Sequence, residues 1–197
     1  MDFFEVIRKR RSIRRFTDAP VADDDLLAML EAARLAPSPQ NQEPWHFIVI
    51  RDQELRKTLK DIVNAVIDAK IEKADNKEQK TMLNGLRFHA TNVFDAPVVV
   101  VVLDQPWPNP NPEQQPIFNP GLQSVAAATA QLHLAATALG YGGCWATLAV
   151  ELARKDIESI LGVEKPWFAI ATLSIGIPAK RPRDIPRKSI EEIATFK

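Results

Sequence analysis

The sequence predicts a single domain that mixes helices with a strand-built core, and three stretches predict it. Residues 98–103 are a nearly pure β-branched run bounded by Pro97 and Asp104, which suits a strand at the centre of a sheet. Residues 122–139 are small and apolar on nearly every side, interrupted by Gln123, Ser124, Thr129, Gln131, His133 and Thr137, which suits a central helix covered on most sides. Asp23-Asp24-Asp25 opens a third stretch, placing acids in a first helical turn ahead of the apolar face Leu26, Leu27, Leu30 and Ala33. A chain of 197 residues that is 46% hydrophobic fills one sizeable core.

Taken in order, Phe3, Phe4, Val6 and Ile7 suit one face of a short first helix. Ser12, Arg14 and Phe16 then alternate as an extended segment places them, so Ser12 and Arg14 point the same way. The acid-led helix ends at Pro37 and Pro39, and Trp45–Ile50 reads as a strand. Charged helical sequence runs from about residue 53 to 92 and breaks near 73–80. After the central strand, residues 105–120 pack six prolines with Trp107 and Phe118 into a segment that is neither helix nor inner strand. A loop of that length suits a substrate pocket, with Trp107 and Phe118 as its aromatic lining, or a surface excursion. Gly140, Gly142 and Gly143 end the central helix, and a third strand follows at 167–175. Prolines at 178, 182 and 186 keep the tail extended, and Ser189 and Glu192 have the spacing of a capping box for a short terminal helix.

Charge distribution narrows the function. Residues 8–15 hold six of the 25 Lys and Arg residues, and Lys180, Arg181, Arg183, Arg187 and Lys188 hold five more, yet the net charge is zero. A general nucleic-acid binder carries a large excess of positive charge, so a smaller anion fits better. One phosphate monoester suits Arg10, Ser12 and Arg14, because guanidinium matches phosphate oxygens two at a time. A phosphate near the end of the first helix meets the negative end of its dipole, so side chains must supply the attraction. Solvated basic patches are the bland alternative. The single cysteine, Cys144, excludes an intrachain disulfide, and His46, His89 and His133 lack metal-ligand spacing, so no metal site is expected. No signal peptide or spanning run is present, which points to the cytoplasm. GxGxxG, GKS, GKT and HExxH are all missing, so a phosphate-bearing ligand is held without a glycine-rich cradle.

Four segments in order carry a resemblance. Arg10-Arg11-Ser12-Ile13-Arg14-Arg15-Phe16, Pro37-Ser38-Pro39-Gln40-Asn41-Gln42-Glu43-Pro44-Trp45-His46-Phe47, Leu139-Gly140-Tyr141-Gly142-Gly143-Cys144-Trp145, and Gly176-Ile177-Pro178 with Pro186-Arg187-Lys188 span the chain. Together they resemble the FMN-dependent nitroreductase family. The resemblance implies an α+β fold with a mixed central sheet flanked by helices. It also implies a single domain over 1–197 with an extended C-terminal arm at about 177–197, and an intertwined homodimer with FMN at the subunit interface. Carried over by motif position, Arg10, Arg11, Ser12, Arg14 and Arg187 bind FMN, and Pro37, Ser38 and Asn41 approach it from the second subunit. Gly142 and Gly143 let backbone come close to the ring. Glu43 replaces the family's usual Gln and is left out of the site.

The chemistry so implied is the cofactor's, with no catalytic side chain of the chain's own. NADH or NADPH reduces FMN, which passes electrons by a ping-pong mechanism to a nitroaromatic, a quinone or a related small acceptor. A dehalogenase-like or flavin-consuming branch of the fold, and a non-catalytic flavin-binding or regulatory protein, are the alternatives. Trp45, Phe47 and Cys144 are expected in the core, with Trp145 divided between core and site.

Overall fold

The valine run forms the middle of the molecule because it is covered from both sides. The computed structural model describes residues 1–107, 119–180 and 184–197. In it β2 (Val98–Asp104) lies between β1 (Trp45–Ile50) and β4 (Phe168–Gly176), and β3 (Gly142–Ala146) pairs with the outer side of β4. Val98, Val100 and Val102 pack with Leu173 and Ile175 against α2 (Asp23–Arg34) and α5 (Pro120–Ala138). Val99, Val101 and Leu103 pack on the other face against α3 (Gln53–Glu72) and α6 (Leu148–Leu161). A strand with helices on both faces has no polar side to alternate, which is why its sequence is continuously apolar. Each fully buried valine contributes roughly 1.5 to 3 kcal/mol.

All three strand pairings are antiparallel, with Val98 opposite Ile175 and Gly143 opposite Ile175 from the other side. Parallel pairing enters at the β3 edge, where Ser12 bridges to Gly143, and the sheet is mixed in that sense. The charged helical stretch divides as expected into α3 and α4 (Lys77–Thr91), each opened by a side-chain cap, Asp52 on Leu55 N and Asn76 on Gln79 N. α5 begins at Asn119, whose side chain accepts from Leu122 N, with Pro120 in the first turn where its missing N–H costs nothing. Tyr141, just past its end, donates to Asp25 at 2.7 Å and so ties it to α2.

Four local expectations change. In α1 (Phe3–Lys9) only Val6 is buried, and Phe3, Phe4 and Ile7 are 45–66% exposed, so its apolar face lies open on the single chain. The capping-box contact forms, Ser189 N donating to Glu192 at 2.8 Å, but it closes one turn rather than a helix. A single turn fixes several dihedrals for few hydrogen bonds and does not propagate without packing. Gly142 and Gly143 belong to a strand, not only to a helix end. α6, closed by left-handed Gly162 at φ 63°, is a further element that the sequence reading does not assign. No helix among the described residues is long and apolar enough to cross a membrane.

One buried group strains this frame. Asp104, at the end of β2, is 2% exposed and accepts a hydrogen bond from Gln105 N at 2.8 Å. Burial raises its carboxyl from 3.8 to about 6. A carboxyl raised on folding binds more protons in the native state, so its cost is fully present above pH 6 and vanishes as pH falls below 3.8. Asp104→Asn keeps the acceptor and removes the charge. It should therefore stabilise the protein on the order of 2 to 3 kcal/mol at pH 7.5 and hardly at all at pH 4, read from urea midpoints at both values. An equal effect at both pH values would show that desolvation of the charge is not the cause.

Candidate functional site

The N-terminal segment is sewn onto the β3 edge by its backbone. Ile13 N donates to Gly143 O at 2.8 Å and Thr17 N to Ile177 O at 2.9 Å, while Phe16 bridges to Pro178. Ile13 is buried, and Ser12 and Arg14 on either side of it are exposed, as an extended chain with one packed face dictates. Ser12 and Arg14 thus share a face, as their spacing predicts.

Arg10, Ser12, Ala130, His133, Leu134 and Trp145 line a recess of about 400 Å³ between this segment, α5 and β3. Burial first, then the charges of Arg187 and Arg11, hold the Arg10 guanidinium below its ordinary pKa. Among the described residues no carboxylate lies within ion-pair distance of Arg10, Arg14 or Arg187. A half-buried cation that gathers like charges and no counter-ion lowers its energy by taking an anion. The Ser12 hydroxyl and Arg10 guanidinium present donors, and Trp145, 37% exposed, presents an aromatic surface in the same recess. These residues fit a ligand that joins an anionic group to a flat apolar body.

His133 is the member of this recess that sequence reading misses. It is 3% exposed, and its Nε2 is buried with no hydrogen-bond partner. Burial, with Arg10's charge adding to it, drops the imidazole to about 4. An isolated histidine in an alanine-rich helix carries no motif; its one signal is its place on the helical face shared with Ala130 and Leu134.

Gly142 and Gly143 are required by the chain itself. A Cβ on Gly142 would lie 2.5 Å from Ile13 Cγ1 and 2.9 Å from Pro178 Cγ; one on Gly143 would lie 2.8 Å from Ser174 O and 3.2 Å from the His133 ring. Their lack of side chains lets the N-terminal segment and His133 approach β3, which builds the recess wall. Cys144 beside them is buried, and burial pushes its thiol up, as a core cysteine requires.

Pro37 and Ser38 line a second recess of about 330 Å³ with Pro39, Pro120, Gln123 and Ala127. The chain around it is held in unusual backbone: Gln40, Asn41 and Glu43 have φ of 54°, 53° and 48°. Each left-handed non-glycine residue costs of order 1 kcal/mol or more, and such residues concentrate at ligand sites. Ser38 Oγ accepts from Glu43 N at 3.0 Å and Asn41 Nδ2 donates to Glu43 Oε1 at 3.3 Å, so Glu43 is engaged within its own turn. The two recesses lie along one face of α5, Gln123 and Ala127 in one, Ala130 and Leu134 in the other. They remain separate on the single chain.

The remaining expected residues divide. Arg11 is committed elsewhere, its Nη1 donating to Arg8 O and Arg10 O at 2.6 and 2.9 Å and its Nη2 to Asp184 at 2.8 Å. It anchors the arm rather than lining the recess. Trp107 is half-buried near the start of α5, its Cβ 3.5 Å from where a Cβ on Gly121 would sit, and Phe118 lies outside the described residues. Trp45 is 9% exposed in the core, with Phe47 packed against it. Among the described residues no cluster of three or more His, Cys, Asp or Glu is arranged to hold a metal.

The model of the Nitroreductase family matches residues 7–177. A protein of Archaeoglobus fulgidus, provisionally named NADH dehydrogenase/NAD(P)H nitroreductase, is 29% identical over 175 residues, 88% of this chain and 84% of that protein. The crystal structure of a BluB-like flavoprotein from Clostridium difficile 630 is 31% identical, with a TM-score of 0.88 over 100% of this chain and 99% of that one. A nitroreductase with bound FMN from Desulfitobacterium hafniense DCB-2 shares the fold at 22% identity, with a TM-score of 0.75 over 98% and 97%.

Proposed function

Because this chain belongs to the nitroreductase family, we propose that it is a cytoplasmic FMN-dependent oxidoreductase that takes electrons from NADH or NADPH. It passes them by a ping-pong mechanism to a nitroaromatic, a quinone or a related small acceptor. The observation that carries this reading is the recess holding Arg10, Ser12 and Trp145, with the charge of Arg187 near Arg10 and no carboxylate within ion-pair distance of either among the described residues. FMN combines a phosphate with a flat apolar ring, and when bound it supplies hydride acceptance from a nicotinamide and delivery to a second substrate. The chain's own residues bind and orient. Arg10 and Arg187 hold the phosphate, Ser12 adds a hydroxyl donor, and Arg14 supplies positive charge toward the pyrimidine edge.

A second copy of the chain completes the site in this reading. Pro37, Ser38 and Asn41 of one subunit face the Arg10 recess of the other, which accounts for two separate recesses on one helix face. The exposed Phe3, Phe4 and Ile7 of α1 and the small half-exposed face of α5 are the surfaces such a homodimer would cover. The arm, about 177–197, extends onto the partner and carries Arg187 with it. In this reading Trp107 and Phe118 take part in choosing the acceptor.

The test is anaerobic. Purified protein should carry about one FMN per chain, and NADH or NADPH should bleach its yellow colour, which a quinone or nitroaromatic then restores. Protein that stays colourless after incubation with FMN would overturn the reading. A yellow protein that neither nicotinamide bleaches would instead favour a non-catalytic flavin binder.

A further inference from the structure

We propose that His133 is a proton-coupled part of the anion pocket: a flavin phosphate bound beside Arg10 and Ser12 brings a solvent proton onto its imidazole. The proposal rests on the FMN reading of this recess. Its basis is geometric. The imidazole lies on the wall of the recess that Arg10 and Ser12 line, 3% exposed, with Nε2 enclosed and unpartnered. An enclosed polar atom without a partner costs roughly what a lost hydrogen bond does, so the side chain is a poor choice if its role is filling space.

The surroundings suit two protonation states. The carbonyls of Gly143 and Arg11 lie where a protonated ring would be favoured, although no well-aligned hydrogen bond joins them to it in the neutral state. Burial and the Arg10 charge oppose that proton. The other groups around the ring do not offset Arg10. Arg11 and Arg187 add their charge to that of Arg10, Arg14 lies near Cys144, and Cys144 on β3 is a thiol kept protonated by burial. Glu5 of α1 pairs with Lys9 at 2.6 Å, and Asp25 of α2 accepts from Tyr141. α5 itself carries no other ionisable side chain. A phosphate on Arg10 is therefore the event that removes the opposing charge, and the proton it admits finds acceptors already in place. One N–H bond forms, the proton comes from solvent, and nothing is oxidised or reduced.

The sign of the linkage follows. The imidazole sits at about 4 without ligand, and an opposite charge within a few ångströms raises it by about one to two pH units. Binding of FMN, but not of riboflavin, then gains strength as pH falls through the raised value and stops gaining below about 4.

The experiment is long-range 1H–15N NMR of the full-length chain, alone, with saturating riboflavin and with saturating FMN. His46 and His89 are exposed, and the His46→Gln and His89→Gln pair leaves His133 as the remaining signal. FMN should shift the His133 titration upward by about one pH unit or more, and riboflavin should leave it in place. An unmoved titration in the FMN-saturated protein would overturn the proposal while leaving the FMN reading intact; failure of FMN to bind at all would overturn both. His133→Gln supplies an independent measure. Between pH 7 and pH 5 the wild-type ratio of FMN to riboflavin affinity should rise about two- to ninefold relative to that of the variant. The phosphate's own protonation enters both proteins equally and cancels, so equal ratios would count against the proposal.

Discussion

Removing residues 181–197 should abolish flavin retention and dimer formation together. In the described part of this tail, 184–197, every residue is exposed, including Ile185, Ile190, Ile193 and Phe196 at 60–88%. Its tie to its own chain is the Arg11–Asp184 ion pair at 2.8 Å, in which Asp184 is almost wholly exposed. A solvated pair of that kind is worth at most about 1 kcal/mol. Four large apolar side chains held in water are the opposite case: covering them fully on a partner would contribute roughly 1.5 to 3 kcal/mol each, about 6 kcal/mol or more for each arm. The same deletion removes Arg187 from the Arg10 cluster. Light scattering should therefore report a monomer, and FMN should wash away. A truncated chain that remains a yellow dimer would show that the arm is peripheral.

Arg10→Ala should weaken FMN about ten- to a hundredfold while leaving riboflavin nearly unchanged. A charge-assisted hydrogen bond contributes roughly 1.5 to 3 kcal/mol, and only FMN carries the phosphate that receives it. Arg10 is the sharper test of the two phosphate arginines because it is half-buried at the recess, where screening by solvent is weaker, whereas Arg187 is exposed. The substitution also relieves repulsion among Arg10, Arg11 and Arg187, so the affinity loss should not be accompanied by unfolding of the ligand-free chain. Fluorescence titration of the two flavins against the same variant reads the difference. Equal losses for both would mean that Arg10 contacts the ring or ribityl chain and not the phosphate.

What was legible in the sequence had a period or a punctuation mark. The valine run read as a strand at the sheet centre, the triple aspartate as the opening of a helix, and the alanine-rich stretch as a helix with too little polar surface to lie outside. The family itself was legible from four short segments, because Arg10, Ser12, Pro37 and Gly142 belong to patterns. β3 was not, since Gly142-Gly143 reads as a break: its glycines are strand residues because Ile13 and Ser174, distant in sequence, occupy the space of their side chains. The first helix shows the same limit from the other side. Phe3, Phe4 and Ile7 fall on one face, as their spacing says, but spacing does not say whether that face meets the chain's own core.

The site divides in the same way. Residue types and their order sufficed to name an arginine-rich phosphate motif, because guanidinium chemistry is local to each side chain. Tertiary structure decided how these arginines are placed: Arg10 lies at a recess with the charge of Arg187 near it, while Arg11, next to it in sequence, turns to backbone carbonyls and Asp184. It also decided that His133, some 120 positions away, closes the wall of the same recess. Periodicity is set by neighbours along the chain and survives in the sequence. Electrostatic partnership is set by neighbours in space, falls off within a few ångströms in water, and exists only once the sheet has brought the first segment, the central helix and β3 together.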